Sequence, residues 1–386
     1  MENTAKILLD LFLIFAAAKV AGEIFNRLKQ PVVVGEILAG MLIGPSLLGW
    51  IGHSSFLDIF AELGVIFLLF TVGLQTDLTE MVRVGKHALA VAVGGVTLPF
   101  ILGYALMAAL NRPLVESLFV ATALVATSVG ITARVLADLG KLQTRAARVI
   151  LGAAVVDDIL GMIVLAVVIG ISRGKFSLLS TLLVAIEAIA FTAFVVVLGR
   201  KAIGTFSHKI PKLHMPQPAF ALGLALCLGL SAAASYIGLA AIIGAFLAGL
   251  VLAEATEATR LRQNMEPIYE FLVPIFFVIT GSRMDLPKLF TPPIISLTLL
   301  VVLVAVIGKF LGCGAAAFRL GRHDATAVGV GMIPRGEVGI VVAMVGLSRG
   351  VISGDLFSVV ISMSILTTLM TPPLLRLLLA RRPLVV

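Results

Sequence analysis

The sequence predicts an all-α polytopic membrane protein of thirteen transmembrane helices, built as an inverted-topology repeat with two discontinuous helices. Three observations carry this reading. Of 386 residues, 60% are hydrophobic and 13% are charged, against about a quarter charged in an ordinary soluble domain. Apolar runs long enough to span a bilayer recur from one end of the chain to the other. Several short motifs return at one spacing, near 209 residues.

In chain order the spans fall at 5–26, 31–50, 57–75, 88–110, 114–137, 147–171, 177–199, 217–236, 239–254, 267–282, 291–318, 325–347 and 356–379. The first is interrupted by Asp10 and Lys19 and is followed by no A-x-A cleavage site. It reads as a membrane helix rather than a signal peptide. Loop charge sets direction: nineteen Lys and Arg lie on the side of the odd-numbered loops and the C-terminus, and seven on the other. By the positive-inside rule the N-terminus is outside and the C-terminus cytoplasmic. The net charge of +8 thus serves topology, and nucleic acid is excluded as a partner. Cys227 and Cys313 have no CxxC or His neighbour and read as small buried hydrophobes. Without a metal motif or nucleophile–base set, the sequence points away from an enzyme, and no cofactor is expected.

The repeat pairs "VGEILAGMLIG" (34–44) with "IGAFLAGLVLA" (243–253), Leu102-Gly103 with Leu311-Gly312, and Val129-Gly130-Ile131 with Val338-Gly339-Ile340, all at offset 209. "GLQTDL" (73–78) returns as "GSRMDL" (281–286) at offset 208. Span 2 therefore maps to 9, 3 to 10, 4 to 11 and 5 to 12. An odd number of crossings separates each pair, so the halves insert in opposite directions, as in many secondary transporters. Residues 31–171 form the first repeat, 239–379 the second, and 177–199 connect them.

Spans 5 and 12 are expected to break. Span 5 concentrates Thr122, Thr127, Ser128, Gly130 and Thr132, whereas span 12 carries "VGVGMIPRGEVGIVVAM". Pro334 lacks an N–H and disfavours helix at Ile333. Such breaks bring helix ends to the membrane centre, where they coordinate a cation or offset buried charge.

Charge inside a membrane costs about 2.5–3.5 kcal/mol per residue on insertion scales, and the residues that remain there are paired or functional. The strong cases are Asp157 and Asp158 in span 6, Lys309 in span 11, and Arg335 with Glu337 in span 12. Asp10, Lys19, Glu23 and Glu187 read as interfacial anchors or local pairs; Glu36, inside a repeated segment, stands apart. Adjacent helical residues point about 100° apart, so Asp157 and Asp158 face different surroundings. Lys309 requires a carboxylate partner, which economically is one aspartate of the pair. The other then titrates in a cavity where proton and small cation compete. An alternating-access protein built round that group exchanges one for the other.

At "GAAVVDDILG" the chain resembles the second monovalent cation:proton antiporter family, with the nearest likeness to its NapA-type sodium:proton antiporters. "QPVVVGEILAGMLIGPSLLG" (30–49), "ELGVIFLLFTVGLQTDL" (62–78), "ALVATSVGITARVLADLG" (123–140) and "GVGMIPRGEVGIVVAMVGL" (329–347) extend the likeness over nearly the whole chain. The resemblance implies a bacterial inner-membrane homodimer exchanging sodium or lithium for protons. It further implies an elevator-like core from spans 3–6 and 10–13, moving against a dimerisation domain from the remaining spans. By the same likeness Asp158 carries the ion, Asp157 pairs with Lys309, and Thr127 and Ser128 lie near the ion. Sodium would then sit among Asp158, Asp157 and Thr127, while Arg335 and Glu337 form a supporting charge cluster. The Asp-Asp pair resembles the electrogenic branch. Glutathione-gated potassium relatives carry a nucleotide-binding domain, whereas no GxGxxG follows here, so nucleotide gating is not expected. Two alternatives are a potassium:proton antiporter of the same family and a sodium-coupled organic-acid symporter.

Overall fold

The computed structural model describes residues 4–28, 30–52, 54–76, 79, 83–172, 178–206, 217–255, 258–284, 287 and 291–379. Basic loop residues in the intervening gaps lie outside the described residues. Within them the chain is helical: α1 (Thr4–Arg27), α2 (Val32–Ile43), α3 (Ser55–Leu74), α4 (Gly85–Ala109), α5 (Leu114–Ala123), α6 (Val129–Asp138), α7 (Arg145–Ser172), α8 (Leu178–Phe206), α9 (Pro218–Tyr236), α10 (Ala241–Leu252), α11 (Ala258–Ser282), α12 (Pro292–Ala316), α13 (Arg322–Gly331), α14 (Glu337–Ser348) and α15 (Gly354–Leu379). Seven of these are long and apolar enough to cross a membrane by length and composition.

Eleven of the expected spans fall on one helix each. Spans 5 and 12 fall on two each, α5–α6 and α13–α14, with the interruptions at Leu124–Ser128 and Met332–Gly336. Each half-helix has 10 or 12 residues, about 15–18 Å long and so about half a hydrocarbon core. An offset of 208 carries the end of α5 (Ala123) onto the end of α13 (Gly331), and the start of α6 (Val129) onto the start of α14 (Glu337). The two breaks are equivalent points of the repeat. Span 2 is shorter than expected, with its helix stopping at Ile43. Pro45 disfavours helix at Gly44, and the chain folds back as the Leu48 and Trp50 amides donate to the carbonyls of Leu42 and Ile43.

The helices are held by glycine seams. A Cβ added at Gly40 would overlap the carbonyl oxygen of Val278, and one at Gly281 that of Ile37. In the other half, Gly249 meets the carbonyl of Phe70 and Gly73 that of Phe246. These are the same contacts moved by 208 or 209 residues. The rule reaches further than the sequence motifs: Gly35 meets the carbonyl of Ala21, and Gly244 that of Leu230, 209 residues on. The repeat therefore includes α1 and α9 as well.

These close approaches sort the helices. α1, α2, α3, α9, α10 and α11 pack on one another, as do α4–α7 with α12–α15, and α8 touches both α7 and α10. Spans 3 and 10, grouped with the core in the sequence expectation, have their main packing in the first group, and α3 also touches α6 of the second. The seams of Gly64 on the Leu272 carbonyl and Gly73 on Gly249 draw α3 onto α11 and α10.

Candidate functional site

The site forms where α7 passes the two interrupted helices. Ser128, the residue before α6, donates its backbone N–H to the Pro334 carbonyl at 2.8 Å. Its side chain occupies the space that a Cβ on Gly336 would need. One turn on, the Thr132 hydroxyl donates to the Gly331 carbonyl at 2.6 Å. The crossing is thereby pinned by the backbone groups that the breaks leave unpaired.

Arg335 lies within the second break and is fully buried. Its guanidinium donates to the carbonyls of Ile333 (2.8 Å), Met332 (3.3 Å) and Ala305 (3.1 Å). A fixed cation at the C-terminal end of α13 offsets the partial negative charge there. α15 clamps the same residue: the Arg335 N–H donates to the Thr367 hydroxyl (3.2 Å), and the Thr368 hydroxyl donates to the Arg335 carbonyl (2.9 Å). Thr367 stands 209 residues after Asp158, so the repeat position that clamps the backbone in one half bears a carboxylate in the other. Sequence reading passed over these threonines, although the repeat offset carried one span further points to them.

The two aspartates part company as helix geometry requires. Lys309 Nζ donates to Asp157 Oδ1 at 2.6 Å, and neither side chain is exposed. Room for the ammonium comes from Gly95 on α4, where an added Cβ would lie 3.2 Å from Nζ and 2.5 Å from the Cys313 sulfur. Asp157 Oδ2 and the Thr127 hydroxyl are both buried and have no hydrogen-bond partner among the described residues. Asp158 reaches open space instead. It lines a cavity of about 590 Å³ whose walls include Asp58, Glu62 and Val65 of α3, Met162 of α7, Thr280 of α11, Arg283 just past the end of α11, and Ile340 of α14. Arg283 pairs with Asp58 at 3.0 Å near the mouth. Toward the opposite end Asp158 meets only a tight space of about 10 Å³, closed by Leu69, Leu151, Val155, Ile243 and Phe246. Of the expected residues, Asp157, Asp158, Lys309, Thr127, Ser128 and Arg335 are all buried in this region. The Glu337 backbone opens α14, while its side chain lies outside the described residues. The mouth residues Asp58, Glu62 and Arg283 were missed, since they sit at span ends where charge is ordinary.

Two crossed, broken helices beside a buried acid–base pair and a carboxylate reached from one side define a secondary membrane transporter. Comparison with known proteins narrows this class. Residues 12–381 match the family described as sodium/hydrogen exchanger, transmembrane, and the chain belongs to that family. It is 35% identical over 371 residues to the Na(+)/H(+)-K(+) antiporter GerN of Bacillus cereus, covering 95% of each chain. It is 34% identical to the high-affinity Na(+)/H(+) antiporter NhaS3 of Synechocystis, covering 96% of this chain and 89% of that one. A structure of the sodium proton antiporter MjNhaP1 from Methanocaldococcus jannaschii superposes with a TM-score of 0.74 at 20% identity, covering 99% of this chain and 100% of that one.

Proposed function

We propose that this chain exchanges sodium or lithium for protons, with the two ions competing for Asp158. The observation that carries the reading is the division of the aspartates. Asp157 is neutralised by Lys309, whereas Asp158 lines the cavity that leads out of the fold. A carboxylate so placed binds either a proton or a partly dehydrated cation, and its two loaded states have the same charge when the cation is monovalent. Asp157 Oδ2 and the Thr127 hydroxyl supply the further oxygens a sodium ion needs. Both lack another partner among the described residues. The names of the relatives, Na(+)/H(+) antiporters among them, support the choice of ions.

The movement is a sliding of α4–α7 with α12–α15 against the other six-helix body, carrying Asp158 past α3 and α10. Loop charge orients the cavity outward, with the N-terminus outside and the C-terminus in the cytoplasm of a bacterium, in the inner membrane and as a homodimer in lipid. Release of the Lys309–Asp157 pair during the cycle would make exchange electrogenic. A second reading, potassium in place of sodium, draws on the name of the Bacillus relative, which includes potassium.

The test is proton movement in proteoliposomes with sodium, lithium and potassium added separately, with and without a clamped membrane potential. Sodium- and lithium-driven proton release is expected, and its absence in Asp158→Asn protein that remains folded. Exchange surviving in that variant would sink the assignment.

A further inference from the structure

Beyond the ion site, one buried charged cluster joins the two helix bodies, and the chemistry at Asp158 makes no use of it. Arg134 on α6 is only 7% exposed. Its Nε donates to Asp138, one turn along the same helix, at 3.1 Å. Its other contacts cross to the neighbouring body. The guanidinium carbon stands 5.0 Å from the ring centre of Tyr269 on α11. Glu36 of α2, 2% exposed, lies within electrostatic reach of Arg134 and Asp138. Glu36 Oε2 and one Arg134 Nη are buried without a hydrogen-bond partner among the described residues. On the flank, Lys19 of α1 pairs with Glu270 of α11 at 2.8 Å.

Position gives the cluster its meaning. Tyr269 lies fourteen residues before Arg283 on α11, roughly 21 Å along a helix axis. Arg283 marks the mouth of the open cavity, so the cluster sits at the closed end. Asp138 already neutralises Arg134 within its own body. The ring and Glu36 therefore add attraction between bodies, in a desolvated setting that strengthens a cation–aromatic contact. Any rearrangement that opens this end must pull the guanidinium from the ring and from Glu36.

We infer that Arg134, seated against Tyr269 and Glu36, is a latch that holds the closed end shut while the cavity is open. The inference rests on the alternating-access reading above. In a two-state equilibrium, loss of a contact made in one state shifts population to the other, and apparent affinity scales with the competent fraction. The latch thus biases which face binds cation well.

Glu36→Gln keeps shape, Tyr269→Leu removes the ring but stays apolar, and both leave the Arg134–Asp138 pair intact, whereas Arg134→Gln would strand a buried carboxylate. The reporter is Val155→Cys, which lines the tight space under Asp158. The native Cys227 and Cys313 are fully buried. In sided vesicles, an impermeant maleimide added at the closed end is expected to label the reporter about fivefold faster or more in either variant. The sodium KM should fall at that face and rise at the cavity face. Unchanged labelling in variants that still exchange overturns the latch. So does equal acceleration at Thr280→Cys in the cavity wall, which would mean general loosening. Wild-type vesicles that move no protons on sodium addition would instead overturn the functional reading itself.

Discussion

Asp157 and Asp158 are neighbours in sequence and opposites in surroundings. One is sealed in an ion pair with Lys309 at 2.6 Å; the other lines open space on one side and a tight apolar gap on the other. Removing one member of a buried pair leaves an uncompensated charge, which costs about 3–5 kcal/mol. Lys309→Met should accordingly lower stability by that order. Lys309→Met combined with Asp157→Leu should recover much of it, because apolar replacement of both partners is often neutral. Thermal unfolding in detergent checks both, and equal losses in the single and double variants would contradict the pairing. This residue-scale division was legible in the sequence because the helix repeat forces adjacent side chains apart. Lys309's room beside Gly95 was not, since "VGG" in an apolar run carries no signal of what faces it.

At the scale of elements, the breaks and the seams follow one symmetry with unequal chemistry. Pro334 announced the break in span 12, and span 5 was inferred from hydroxyl density and the repeat. Both breaks fall at equivalent positions in the structure. The seam contacts, such as Gly40 on Val278 and Gly249 on Phe70, are tertiary. Their sequence trace is a set of glycines that also suits plain close packing. A side chain at either glycine must displace backbone. Gly40→Val and its repeat mate Gly249→Val should each cost about 1–3 kcal/mol or more, whereas Gly52→Ala, with nothing within 4 Å, should be nearly neutral. Melting of the three variants side by side checks this, and a stable Gly40→Val protein would contradict the seam. Which helices α3 and α11 pack against is not legible in the sequence for the same reason: periodicity locates helices, while partners are chosen by backbone approaches that hydropathy does not record.

Across the whole molecule, the same composition that identified a membrane protein could not say which end is open. That depends on how a handful of apolar side chains and a few charges meet between two bodies. With the cavity at one end and the Arg134 cluster at the other, the fold holds Asp158 accessible from a single side. The proposed exchange has sodium and protons meeting at one carboxylate rather than at two. The most direct test is the sodium dependence of exchange across a pH series in proteoliposomes. Competition at one site predicts that the apparent KM for sodium rises as pH falls, approaching about tenfold per pH unit in the acid range, with the maximal rate unchanged. A KM independent of pH, with the maximal rate falling instead, would contradict a shared site at Asp158.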